Sequence, residues 1–253
     1  LFDRISFQEH YKKYLRFIEN NFSKHHLDTD FPKITFLLYY DSREVSTLQS
    51  VLKSFLDQSY ENWDLFLISK TNNELDSSIL PQDKRISLIS TSEIKLILNK
   101  INTLEFDFIG LLASNVVLPS YSLMELAKFL KNNSNSDIIF SDNDTIDDNG
   151  NRTNPFFKPD WSQITFHSHD YISSLCIVKK EVIKKVIKNK ILNDFFYDLL
   201  LYCIDYSNKI DHIKFPLYSI TSSKNLFSNI DKKNILTKHF QQKKIDAKIE
   251  NGI

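Results

Sequence analysis

The sequence predicts one α/β domain with a mixed central sheet flanked by helices and an N-terminal leading helix. Three observations carry that expectation. Two short, nearly all-apolar runs, KITFLLYY (33–40) and WDLFLIS (63–69), bracket a helical stretch with one apolar face (45–60), a strand–helix–strand unit that implies a parallel pair with a right-handed crossover. Strand-like and helix-like segments then keep alternating to residue 142, the order of a doubly wound, Rossmann-like sheet. Beyond that point Asn149-Gly150 lies between polar, β-compatible flanks, a signal for a two-residue hairpin and hence for an antiparallel element.

Residues 5–22 repeat apolar positions at helical spacing, and their stripe fits docking on a partner or a neighbouring domain. Pro32 marks a boundary, dividing a leading segment 1–30 from the body 31–253. After the first unit come a weaker strand at 85–90, a helix near 92–102, and a buried strand at 106–112 that runs into Ala113, Ser114 and Asn115. A helix at 121–133 and a strand at 136–142 follow. Past the hairpin the pattern predicts a strand at 170–180, helices at 181–189 and 194–205, an extended run at 212–220 and a closing helix at 234–245. No linker or internal repeat divides the chain.

The composition excludes several classes. Acids and bases number 32 each, so no global field draws the chain to nucleic acid or to anionic lipid, and at most peripheral membrane association is expected. Only three glycines are present, with neither GxGxxG nor a Walker pattern to cradle a phosphate. Cys176 and Cys203 sit in apolar runs and read as a buried, reduced pair, consistent with the cytoplasm. No apolar run reaches the ~18 residues of a membrane span. The first residue is Leu, which leaves room for a longer parent protein.

Four stretches resemble one family. PKITFLLYYDSREVSTLQSVLKSFLDQSYENWDLFLIS (32–69) resembles the opening of bacterial family-2 glycosyltransferases with the GT-A fold. SDNDTIDDNGNRTNPFFKPDWS (141–162) is similar to their Ser-Asp-Glu-Asp…Phe-Lys-Pro-Asp-Trp-Ser segment, HDYISSLCIVKK to the strand after it, and KHFQQKKIDAKIENG to their closing segment. The likeness spans residues 10–252, and the Phe-Lys-Pro-Asp-Trp-Ser run is its most specific part. It implies sugar transfer from a nucleotide sugar to a glycan acceptor in polysaccharide biosynthesis, at the inner face of the cell membrane. An adjacent transferase domain or partner protein is implied as well.

That chemistry needs a carboxylate for the nucleoside, an Asp-x-Asp pair holding Mg²⁺ or Mn²⁺ against the leaving diphosphate, and an Asp base. Each position departs from the pattern. Ser69 and Lys70 replace the nucleoside acids, and a lysine has only donors to offer. Ala113, Asn115 and Val116 replace the metal-site acids, so no residue is assigned to metal. Phe196 stands where the base belongs; Asp198 matches a second, structural Asp, and Asp194 could serve only if its helix starts later, a helix N-cap being the better reading. Resemblance places donor contacts at Tyr40, Asp41, Ser69 and Asn115. Acceptor-side candidates are Asp142, Asp144, Lys158, Asp160, Trp161 and His169.

Bland readings stand beside these. Asp147 and Asp148 read as solvated hairpin acids, and Trp161 with Phe156-Phe157 reads either as a sugar-stacking face or as a core anchor. His167 and His169 would share one face of a strand, yet two histidines without a third ligand fit a structural role better. The residues thus imply a transferase-like domain with little or no metal-dependent activity of its own. The alternatives are an active, metal-independent transferase and an interaction module that docks through the leading helix.

Overall fold

The computed structural model describes residues 4–22, 30–40, 45–69, 79–89, 93–192, 196–221 and 232–250; Asp41, Lys70 and Asp194 lie outside them, as does the side chain of Ser69. Helix α1 (Arg4–Phe22) leads. Strand β1 (Ile34–Tyr40), helix α2 (Val45–Leu56) and strand β2 (Trp63–Ser69) form the expected crossover, with β1 and β2 parallel. Strand β3 (Ile86–Ile89), helix α3 (Ile94–Thr103) and strand β4 (Phe108–Ala113) complete the first half.

A two-residue strand β5 (Val116–Val117), helix α4 (Ser122–Asn132) and the long strand β6 (Ile138–Ile146) follow. Strand β7 (Arg152–Phe156), helix α5 (Gln163–Ser168), strand β8 (Leu175–Lys179), helices α6 (Lys180–Asn189) and α7 (Tyr197–Asp205), strand β9 (Ile210–Thr221) and helix α8 (Lys232–Gln242) close the chain.

Among the described residues nine strands make one sheet in the order β3-β2-β1-β4-β8-β6-β9-β5, with β7 paired to β6. The sheet is mixed: β8 runs antiparallel between β4 and β6, β5 antiparallel to β9, and β6 parallel to β9. The parallel strands are buried on both faces, as their unbroken apolar runs require; β4 (FIGLLA) is buried at every position. Gly110 in β4 is needed for packing, because a Cβ there would lie 2.5 Å from Phe36 Cε1.

Several sequence expectations are corrected. Strand β6 extends four residues beyond 142, because Asp142 and Asp144 find partners inside the fold. The hairpin turn is longer than two residues: Ile146 pairs with Arg152, leaving 147–151 as the loop. A two-residue type I′ turn needs positive φ at both central residues, whereas here only Gly150 is positive, at 78°. Asp147 explains the wider loop, since its Oδ1 accepts the N–H groups of Asn149 (3.0 Å) and Asn151 (2.8 Å), an Asx-type cap. The strand expected at 170–180 begins only at Leu175, and His167 and His169 share no strand face. His167 lies in the last turn of α5 and His169 is its C-cap, because Ser162 caps this helix by accepting Thr165 N–H at 3.3 Å.

Much of the apolar stripe of α1 packs within the chain, while Phe7 and Phe17 stay exposed. Tyr11, Leu15 and Ile18 are buried, and Phe22 packs against Tyr121 and Phe215. Among the described residues no helix is long and apolar enough to cross a membrane. Both cysteines are buried and unpaired, as expected.

Candidate functional site

Two regions hold the sequence-derived residues. The first is the edge formed by the C-terminal ends of the parallel strands, where α/β folds place ligands because strand ends and the loops after them leave a crevice. Register sets Tyr40 beside Ser69 and Tyr39 beside Ala113, so three of the expected donor positions, Tyr40, Ser69 and Asn115, do gather at one edge. Ala113, Ser114 and Asn115 are all buried there. The Asn115 carbonyl accepts Thr221 N–H at 3.0 Å, which joins the turn after β4 to the end of β9.

The described residues at this edge fit a divalent cation poorly. Ser114 supplies a hydroxyl and Asn115 an amide, neutral oxygens where a hard cation needs carboxylates, and the buried side chain of Asp170 ahead of β8 is already held by Ser173 and Lys232. At the position expected for the base, Phe196 is buried and its ring lies 5.9 Å from that of Tyr39, so an aromatic contact stands where an anionic oxygen would be. Asp198 is buried in the first turn of α7.

The second region is centred on β6. Its two acids are separated from β4 by β8, and each carboxylate is engaged by named groups. Asp142 Oδ1 accepts the Lys158 backbone N–H at 2.8 Å and lies 2.8 Å from His212 Nε2. The other ring nitrogen of His212 lies 3.2 Å from Asp160 Oδ1, and Lys214 Nζ donates to Asp160 Oδ2 at 2.9 Å. Phe140 stacks flat on the imidazole, with centroids 4.6 Å apart and planes within 7°. Asp142, His212 and Asp160 therefore form a chain from the interior to a carboxylate 68% exposed, with the carboxylates on opposite ring nitrogens. Such a chain can pass a proton or hold a charge; it cannot wrap a cation, which needs all donors to converge. Among the described residues no three His, Cys, Asp or Glu side chains converge on a metal position.

Lys158 is the most buried cation of this region. Its Nζ donates to the Ser141 carbonyl and the Tyr218 hydroxyl, each at 2.6 Å. Burial pushes its pKa down to about 7, against the pull of the Asp142 and Asp170 charges. The rest of the Phe-Lys-Pro-Asp-Trp-Ser run is anchored as well. Trp161 packs 5.6 Å from Phe166 and 6.4 Å from Tyr171, and Ser162 caps α5. This geometry matches the core-anchor reading of Trp161, whereas Phe156 and Phe157 stay exposed, with His169 in edge contact with Phe156.

Asp144 is fully buried beneath α1. Its Oδ2 accepts the Tyr11 hydroxyl at 2.6 Å and Arg152 Nε at 2.7 Å, while Arg152 Nη1 donates to the Tyr121 hydroxyl at 2.9 Å. Burial, and then the hydrogen bond to Asp144, raise the Tyr11 pKa above the ordinary tyrosine range. Removing one member of such a buried pair typically costs about 3–5 kcal/mol. Sequence reasoning missed Tyr11, Tyr121, Arg152, His212 and Tyr218. Only Arg152 carried a local signal, as a cation across the Asn-Gly turn from the acids. A cavity of about 540 Å³ is lined by Lys33, Trp63, Asp64 and Arg85, at the start of β2.

Comparison with known proteins agrees with this architecture. No family model matches the chain. It is 26% identical over 182 residues to the O-antigen biosynthesis protein RfbC of Myxococcus xanthus, covering 68% of this chain and 14% of that protein. It is 25% identical over 201 residues to the uncharacterized protein y4gI of Sinorhizobium fredii, covering 74% of this chain and 22% of that protein. The chain thus spans less than a quarter of either relative's length. Among solved structures, S. aureus TarS residues 1–349 in complex with UDP-GlcNAc superposes with a TM-score of 0.62 at 13% identity, over 86% of this chain and 68% of that one. The same fragment in complex with UDP gives 0.59 at 14%, over 86% of this chain and 67% of that one. The chain therefore has the fold of the TarS structures and is similar in sequence to a bacterial O-antigen biosynthesis protein.

Proposed function

We propose that this domain descends from nucleotide-sugar glycosyltransferases of surface-polysaccharide assembly and has little or no metal-dependent transfer activity of its own. It serves as a binding or accessory domain beside an active transferase. One observation carries the reading: the end of β4 presents Ala113, Ser114 and Asn115, with no carboxylate among them. A diphosphate leaving group needs its charge neutralised, and losing that stabilisation costs several kcal/mol, hence orders of magnitude in rate. The packing of Phe196 on Tyr39 adds a second loss at the base position.

UDP-GlcNAc, the ligand in the TarS complex, is the probe of choice. Titrated calorimetrically with and without Mn²⁺, it is expected to give either no heat or heat that is indifferent to the metal, with no sugar release. Manganese-dependent binding accompanied by turnover would refute the proposal.

A second reading, metal-independent transfer, draws support from the Asp142–His212–Asp160 chain. The exposed Asp160 carboxylate at the outer end of that chain can accept a proton from a hydroxyl, with His212 and the buried Asp142 behind it. That reading requires turnover in excess EDTA which the substitution His212→Gln abolishes.

A further inference from the structure

His212 bridges two carboxylates, and while neutral its ring has one N–H to offer. Nε2 lies 2.8 Å from Asp142 Oδ1, and Nδ1 lies 3.2 Å from Asp160 Oδ1. Both acceptors are anionic oxygens, so each contact needs an N–H, and only the imidazolium carries two. A neutral ring sets a lone pair against one of the carboxylates. The titratable groups around the ring are Asp142 of β6, Lys158 and Asp160 of the loop after β7, and Lys214 of β9 itself, whose Nζ donates to Asp160 Oδ2 at 2.9 Å. Tyr14 of α1 lies near Asp142, and Phe140 covers one face of the imidazole.

Burial decides which contact yields when the ring loses a proton. The Asp142 side chain is 2% exposed, and a buried carboxylate deprived of a donor keeps its whole desolvation penalty. The Asp160 side chain is 68% exposed, so water and Lys214 replace the lost donor at little cost. The proton therefore leaves Nδ1, Nε2–H stays on Asp142, and the Nδ1 lone pair turns Asp160 away. Asp160 is the tip of segment 157–162, whose other holds do not involve the ring. The Lys158 N–H sits on Asp142, its Nζ on Ser141 and Tyr218, and the Ser162 N–H donates to the Tyr171 hydroxyl at 3.1 Å. Pro159 has a fixed φ, which holds the inward lysine and the outward carboxylate in one relative orientation.

We propose that the Lys158-Pro159-Asp160 run is a proton-controlled clasp: protonated His212 pins the loop tip to β9, and deprotonation frees the tip while the root at Lys158 stays anchored. The clasp is closed while the ring carries both protons and Asp160 is ionised. It opens as pH rises through the ring's titration. It opens again in acid, where Asp160, whose pKa Lys214 and then His212 hold below the usual carboxylate range, takes up a proton. The clasp gives the loop beside Trp161 two states, whether or not the domain transfers a sugar.

The test follows the full chain by NMR from about pH 5 to about pH 9, a range that spans histidine titration. The ring ¹⁵N shifts of His212 should show Nδ1 losing its proton and Nε2 keeping it. Over the same titration the hydrogen-exchange protection factor of the Ser162 N–H should fall about two- to fivefold, the scale of one exposed charged pair. Asp160→Asn changes only an exposed carboxylate; in that variant Ser162 protection should stay level while His212 still titrates. Lys158→Met removes the other group that titrates in this range, its pKa pushed down to about 7 by burial, and should keep the transition. Protection that stays level in wild type, a transition that survives Asp160→Asn, or a ring that gives up its Nε2 proton first would overturn the clasp. So would a transition that Lys158→Met abolishes in a chain that still folds, since the lysine would then be the switch.

Discussion

Replacing Lys158 with methionine should change how stability depends on pH more than it changes stability at any single pH. Methionine keeps most of the buried length of the side chain and removes the amine that donates to the Ser141 carbonyl and the Tyr218 hydroxyl. The backbone N–H of residue 158 still reaches Asp142, so the loop keeps one of its anchors. Burial lowers the lysine pKa from 10.5 to about 7 on folding, worth at most on the order of 5 kcal/mol. The sign follows from proton counting. Between pH 7 and 10.5 the unfolded chain holds a proton on Lys158 that the folded chain has released, so this residue makes the wild type more stable as pH rises through that window. From about pH 7 to about 8.5, wild type should gain roughly 1–2 kcal/mol over Lys158→Met, because other titrating groups cancel in the difference. Urea unfolding of both proteins at the two pH values measures it. A difference that stays constant, or that shrinks as pH rises, would refute a lysine held near neutrality by burial.

Two further outcomes concern the core. Gly110→Ala should destabilise the chain by about 1–3 kcal/mol, the usual range for overpacking, because the new methyl lands 2.5 Å from Phe36 Cε1, nearer still to Cδ1, and 3.2 Å from Ile177 Cδ1. Phe36 is fully buried and braced 5.1 Å from the Phe55 ring, so it has no room to swing; a urea midpoint equal to wild type would contradict this packing. Cys176 and Cys203 should resist thiol reagents in the native protein and react only at the rate of unfolding, since burial raises both thiol pKa values. Rapid native labelling of either would place it at a surface.

Much of the framework was legible because its signal is local. β1, β2 and β4 are apolar runs too short for helices, and α1, α2 and α4 repeat apolar residues at helical spacing; neither pattern needs a distant partner to be read. The gathering of Tyr40, Ser69 and Asn115 at one edge follows from parallel pairing alone. The errors cluster where a polar residue has a distant partner. Asp142 and Asp144 looked like acids at the end of a strand, yet the strand runs past them: Asp144 meets Tyr11, 133 residues away, and Asp142 meets His212, 70 residues away. His167 and His169 share no strand face because Ser162 caps a helix there, and a serine cap carries little signal distinct from a turn.

The sequence by itself determined the layer order, the parallel half of the sheet and the absence of carboxylates from residues 113–116, since these depend on residue type and spacing along the chain. Tertiary structure alone decided that Lys158 is a buried anchor, that His212 links two carboxylates, and that α1 covers Asp144. The physical reason is the cost of desolvating charge. A buried ion persists only when partners from other elements satisfy it, and which elements meet is fixed by the folding of the whole sheet.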